Sequence, residues 1–267
     1  MHAVQKLAGI RVASLSAAAL TLIVGATTPQ QALADQADAE RLLKSMSDYL
    51  AAQESISFNF DTNLEIVTVD LQKLALASSG TLTVNQPDKI RATRSGGFAD
   101  VELVFDGKTL TLLGKTANLF GQAEVPGTID QLIDELRDNG RPVPGADLLV
   151  SNVYDTLMSS AVDLKDLGSG IISGVECDHL AARTSEVDWQ IWIAQGDRPY
   201  PCRYVVTSRL VTGAPEYSVD IKDWKAGDQV ESVDFAFENT TDAKEVDLTD
   251  LPDMDELPGV FAVGGEK

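Results

Sequence analysis

Residues 56–67 read Ile-Ser-Phe-Asn-Phe-Asp-Thr-Asn-Leu-Glu-Ile-Val. Ile56, Phe58, Phe60, Thr62, Leu64 and Ile66 alternate with Ser57, Asn59, Asp61, Asn63 and Glu65. Successive side chains of a strand point to opposite sides, so this period of two specifies a strand with one dry face and one wet face. A sheet of such strands needs cover on one side only.

Working outward, a second strand is expected over 74–84, with Ser79-Gly80 as a bulge inside it. Gln86-Pro87-Asp88 turns the chain into a strand at 89–94, and Ser95-Gly96-Gly97 turns it again. Strands at 100–105 and 108–113 flank Asp106-Gly107, a two-residue loop that strongly signals a hairpin. A short strand follows at 117–124. The middle is helical. Thr128 can cap a helix running to Asn139-Gly140, with Gln131 at the capping-box position. A second helix is expected over 147–159, with Leu148, Leu149, Asn152, Val153, Thr156 and Leu157 as its inner stripe.

Strands resume at 162–167, 170–183, 187–194, 203–210, 216–225 and 230–238. Trp189, Ile191 and Ile193 share one face, as do Tyr204, Val206 and Leu210, then Tyr217, Val219 and Ile221, then Val233, Phe235 and Phe237. Such spacing predicts an antiparallel meander. Before the first strand, 37–53 carries Leu42, Leu43, Met46, Tyr49 and Leu50 at helical spacing. No internal repeat or flexible linker divides the chain. The fold class is α+β: one curved antiparallel sheet with helices on one face.

The N-terminus has the layout of a secretory signal. Lys6 and Arg11 precede an apolar run at 12–26, and Ala32 and Ala34 form an A-x-A site before Asp35. The run is shorter than the roughly 20 residues that span a bilayer. Cleavage is expected after Ala34, leaving 35–267 as a single domain in the periplasm. The formal charge of the whole chain is −20, which repels nucleic acid and anionic head groups. Residues 243–256 hold six acids and one Lys, read as a solvated acidic tail; their spacing is not that of an EF-hand.

The two cysteines, Cys177 and Cys202, are an even pair, so a disulfide is expected in an oxidising compartment; two buried thiols are the rival reading. In a flat meander their strands lie two spacings apart, roughly 9–10 Å, against the 7 Å or so that a disulfide tolerates. The bond therefore requires a different strand order or a bend at the sheet end, and 195–201 offers a bend.

Chemistry leaves few traces. Outside the leader the only histidine is His179, too few for a two-histidine metal site, and no metal or cofactor is expected. There is no G-x-S-x-G elbow and no G-x-G-x-x-G. A hydrolase would have to use His179 with Asp178 or Glu176. Trp189 and Trp192 fall on opposite faces of one strand, so one of them leaves the simple core pattern.

Four stretches carry a resemblance: 80–91 (GTLTVNQPDKIR), 105–110 (FDGKTL), 174–181 (GVECDHLA) and 187–193 (VDWQIWI). They resemble a bacterial family of predicted periplasmic proteins of unknown function, itself similar to LolA-like lipoprotein carriers and mycobacterial lipid-binding lipoproteins. The resemblance implies an open half-barrel with helices across its concave, apolar face, where acyl chains bind. It supplies no catalytic residue. The expected function is carriage of a hydrophobic ligand such as a lipid or acyl chain, on Phe58, Phe60, Leu64, Leu82, Val84, Leu103, Phe105, Ile191, Ile193 and Val206. Each is equally suited to an ordinary core. The alternatives are an envelope scaffold without ligand, or the hydrolase. Partners expected are an apolar molecule or an envelope protein, without nucleic acid or stable membrane insertion.

Overall fold

The computed structural model describes residues 29–97, 99–139 and 143–251. The leader expected at 1–34 lies outside them except for 29–34, which form the start of the first helix. Twelve strands form one sheet: β1 (Ser55–Val67), β2 (Lys73–Asn85), β3 (Lys89–Gly96), β4 (Asp100–Phe105), β5 (Thr109–Gly114), β6 (Leu119–Glu124), β7 (Asp163–Ile172), β8 (Val175–Arg183), β9 (Val187–Ala194), β10 (Pro201–Ser208), β11 (Glu216–Ala226) and β12 (Lys244–Glu245). Their order is β12-β6-β5-β4-β3-β2-β1-β11-β10-β9-β8-β7, open at both ends. Two meanders, β1–β6 and β7–β11, join where β1 pairs with β11, and every pairing is antiparallel except β12 on β6. Helices α1 (Pro29–Ala51), α2 (Ile129–Asp138) and α3 (Val153–Met158) complete the fold.

The period of two in 56–67 decides the register. Phe58 lies opposite Leu82, which lies opposite Ala92, which lies opposite Leu103. Ile56, Val84, Ile90, Phe105 and Leu110 make the next row on the same face. A further row on this face runs from Thr62 through Val219, Tyr204, Ile191 and Leu180. This inner face forms one cluster with Leu43, Met46 and Leu50 of α1, Ile129, Leu132 and Ile133 of α2, and Val153 and Leu157 of α3. α1 packs on β7 and β9, and a Cβ added at Gly145 would lie 3.7 Å from Tyr217 and 3.9 Å from Val219. Helices therefore cover part of one face, as one-sided strands require.

Four local expectations are corrected. First, β2 runs through Ser79-Gly80 without a bulge, in unbroken register with β1. The glycine is there for space: a Cβ on Gly80 would sit 2.5 Å from the Phe60 ring and 2.0 Å from the Thr93 carbonyl. Second, the helix expected over 147–159 is a 3-10 turn (Ala146–Leu148) followed by α3. Asp130 of α2 accepts hydrogen bonds from the Ser151 N–H and Oγ, and Asn152, in a non-helical conformation, caps α3 through the Asp155 N–H. Third, residues 162–183 divide at Ser173-Gly174, not at Gly168-Ser169. Ser173 and Gly174 both have positive φ, which suits a two-residue hairpin turn. Fourth, 230–238 is not a strand. After β11 a 3-10 turn (Gly227–Gln229) releases the chain to cross the sheet, and it pairs again only at β12.

The expected acidic tail is docked over its first part. Ala243 and Leu251 are buried, and Val246 and Leu248 pack against the main core, the latter against Gly121. The remainder of the tail, 252–256, lies outside the described residues. The capping box of α2 is present as expected, with Thr128 Oγ1 accepting from the Gln131 N–H and Gln131 Oε1 accepting from the Thr128 N–H.

Candidate functional site

The register brings all ten expected lining residues to the inner face, where they separate by burial. Phe58, Leu82, Val84, Phe105, Ile191 and Ile193 are buried in the main cluster. Phe60, Leu64, Leu103 and Val206 remain half-buried. Leu64 pairs with Leu76 on one side and Tyr217 on the other, and Tyr217 pairs with Val206, which pairs with Trp189. Leu76 and Tyr217 are half-buried too, so an incompletely covered apolar row crosses four strands at one end of the inner face.

Trp189 ends that row. Its side chain is buried, and its indole Nε1–H has no hydrogen-bond partner. A buried donor left unpaired costs roughly 1–3 kcal/mol. Its ring lies 6.5 Å from that of Tyr204, whose hydroxyl is pushed well above its ordinary pKa by burial and then by nearby Asp147. Asp147 is itself raised by burial, an effect that Arg137, 3.6 Å away, opposes. At the other end of the inner face Tyr200, Trp224 and Phe58 stack in sequence, with centroids 5.0 and 5.6 Å apart, and Trp224 donates to the Tyr49 hydroxyl.

The outer face is polar. His179 stacks on Trp192 at 3.9 Å, and the Arg203 guanidinium lies 5.8 Å from the Trp192 ring. Arg203 donates to Asp220 through two nitrogens, and Asp61 joins Lys222 and Ser79. Lys222 and Ser79 hold the Asp61 carboxyl below its ordinary pKa. His179 makes a 3.0 Å hydrogen bond to Gln190, and burial lowers its pKa. Asp178 pairs with Ile193, while His179 pairs with Trp192, so strand alternation sends Asp178 to the face opposite His179. Glu176, three residues before His179, falls on that opposite face as well. The acids expected to serve His179 are thus directed away from it. Among the described residues no group of three His, Cys, Asp or Glu could hold a metal ion.

A cavity of about 350 Å³ also lies on the outer face, where residues 234–241 cross the sheet. Arg91, Glu102, Leu113 and Lys115 line it from the sheet, and Asp234, Phe237 and Glu238 from the crossing segment. Its place is across the sheet from the helices, not on the apolar face where the resemblance puts acyl chains. Arg91 is occupied, donating to Glu102 through Nε and Nη2 and to the Asp234 carbonyl through Nη1. Expecting a strand over 230–238 concealed this site; the signal available was that Phe235 and Phe237 are followed by no partner strand before the acidic run.

Cys177 and Cys202 are unbonded in this structure, buried with Ala194 in a small separate cluster on the outer face. Residues 39–249 match the family described as predicted periplasmic protein, DUF2092, and the chain belongs to it. No curated protein matches the sequence. Among solved structures it is similar to an uncharacterized conserved protein from Thermus thermophilus, at 13% identity and a TM-score of 0.44, covering 79% of this chain and 99% of that one. The lipoprotein LppX from Mycobacterium tuberculosis matches at 12% identity and a TM-score of 0.38, covering 74% and 99% of the two chains. A LolA superfamily protein from Nitrosomonas europaea matches at 10% identity and a TM-score of 0.33, covering 73% and 94%. No helix among the described residues is long and apolar enough to cross a membrane.

Proposed function

We propose that this chain is exported, released from its leader after Ala34, and binds an apolar molecule bearing an acyl chain on the inner face of its sheet. The half-buried row Leu76, Leu64, Tyr217 and Val206 carries this reading. Much of the rest of the inner face is buried in one cluster with residues of the helices, so the reading places ligand entry at this end. The unpaired Trp189 N–H supports a ligand with a carbonyl or carboxylate, because such a group would satisfy the buried donor. Phe58, Leu82, Val84, Phe105, Ile191 and Ile193 form the floor that holds the entrance in shape.

A second reading, an interaction module for an envelope protein, has one observation in its favour. Val162, just before the free edge strand β7, and Leu167 and Ile171 within it are exposed apolar residues.

One experiment separates the two. The protein is purified from the periplasm without detergent, its organic extract is analysed by mass spectrometry, and binding of a fluorescent fatty acid is titrated. The carrier reading expects a copurifying acyl lipid and saturable probe binding, both lost in Leu64→Asp while the folded spectrum is kept. A clean wild-type protein that also fails to bind the probe leaves the interaction module.

A further inference from the structure

We propose that Cys177 and Cys202 are a covalent modification site: an intramolecular disulfide, formed by oxidation in the envelope, that clamps β8 to β10 across β9. The proposal is independent of the inner-face reading. The sequence presents a geometric obstacle, because the two cysteines lie on strands separated by a third. With one irregularity the fold brings both side chains to one face, in one buried cluster. β10 pairs with β9 at Pro201–Ile193 and next at Arg203–Trp192, so two steps on β10 meet one step on β9 and Cys202 falls in the bulge. On the other flank of β9, Cys177 pairs with Ala194, the neighbour of Ile193. Cys177 shares its face with His179 and Trp192, and the bulge turns Cys202 to that same face. The residue between them is Ala194, whose single methyl leaves the sulfurs room to meet.

The cluster is closed. Cys177 is 0% and Cys202 2% exposed, and Ile172, Val175, Trp192 and Tyr200 pack around them. Each thiol has only a weak acceptor of its own, Val175 O at 3.5 Å and Tyr200 O at 4.0 Å. Burial raises the Cys177 thiol and raises Cys202 further. The thiolate is the nucleophile in disulfide exchange, so the folded dithiol reacts slowly. Oxidation therefore belongs to the folding chain, before the cluster closes. One cysteine thiolate attacks the disulfide of an envelope dithiol–disulfide oxidant and forms a mixed disulfide. The second thiolate displaces the oxidant's sulfur. Two protons and two electrons leave the pair, and the oxidant departs as its dithiol. The new bond ties the edge hairpin β7–β8, on which α1 packs, to the middle of the sheet.

The test is intact mass spectrometry on full-length precursor exported to the periplasm, unfolded without reductant and treated with an alkylating reagent. The expected product carries no alkyl group, is lighter than the reduced chain by two hydrogen atoms, and gives one cross-linked peptide pair containing Cys177 and Cys202. Addition of two alkyl groups overturns the proposal, and so does a disulfide found only between two chains. The same protein reduced and refolded under reductant should melt lower by roughly 5–10 °C, as removal of a bond closing a loop of this size predicts. Its thiols should react with a thiol reagent at least tenfold more slowly when folded than when unfolded. Equal reactivity in the two states would overturn the claim that the fold shelters the pair.

Discussion

At the scale of single residues, the period of two placed every expected lining residue on one face, because side chains alternate along a strand wherever no bulge interrupts it. It did not separate floor from entrance. Phe58 and Phe60 read alike in the sequence, yet one is sealed and the other half-buried. That difference depends on where the helices stop, which alternation does not record. Gly80 is a related case. It sits opposite Phe60 in the pairing with β1, and the ring lies over the hydrogen of the glycine. In the sequence a strand glycine signals either a bulge or a close approach, and only the register distinguishes them. Gly80→Ala should destabilise the fold by about 1–3 kcal/mol through overpacking against Phe60 and the Thr93 carbonyl. Urea unfolding should show the loss as a lower midpoint at unchanged slope. An unchanged midpoint would mean that the ring turns aside freely and the close approach has no energetic weight.

At the scale of elements, the segments with strong local chemistry were legible. The Thr128 capping box and the alternation in β1 and β9 specify their structure over a few residues; a hairpin does form at Asp106-Gly107, but Phe105 pairs with Leu110, so its loop is longer than the two residues expected. The segment 230–238 has alternation but no partner, because the sheet's neighbouring edge at that point is already taken: β11 lies between β1 and β10. The chain instead crosses the outer face to β6. Asp234 O receives Arg91 Nη1, Phe237 meets Phe120 at 5.0 Å, and Asn118 Nδ2 donates to Thr241 O. β12 then pairs with β6, and Leu248 and Leu251 return to the main core. The segment thus wraps the edge strand from one face to the other, held by a few contacts and no continuous ladder. Such a segment should open well below the global unfolding energy. Phe237→Ala should raise amide exchange across 232–243 at least tenfold and leave β1, β2, β9 and β11 unchanged. Hydrogen-exchange mass spectrometry resolves the two regions. A matching rise in the central strands would show that the wrap and the sheet unfold as one unit.

At the scale of the whole molecule, charge and fold act in opposite directions on the proposed function. On the proposed reading the inner face takes up an acyl chain, whereas the formal charge of −20 opposes approach to any anionic surface. Positive charges are largely committed to acids at close range: Arg203 to Asp220, Arg183 to Asp188 and Arg91 to Glu102. Arg183 keeps the Asp188 carboxyl below its ordinary pKa, so this acid stays ionised and contributes to the negative field throughout the neutral range. A carrier of this kind must collect its ligand by brief collisions with the membrane, not by residing on it. Collision with an anionic bilayer is limited by repulsion reaching about 10 Å at 0.1 M salt, and that range shortens as salt is added. The rate at which the protein extracts a fluorescent acyl probe from anionic phosphatidylglycerol vesicles should therefore rise steeply between low and high ionic strength. The rate from zwitterionic phosphatidylcholine vesicles should change little, since these carry no net charge to repel. Stopped-flow measurement on the two vesicle types gives the comparison directly. A rate from anionic vesicles that falls with salt would reveal a cationic docking patch, contrary to the pairing of basic residues described above. Equal salt dependence on both vesicle types would place the barrier in the opening of the half-buried row itself and not in the approach to the membrane.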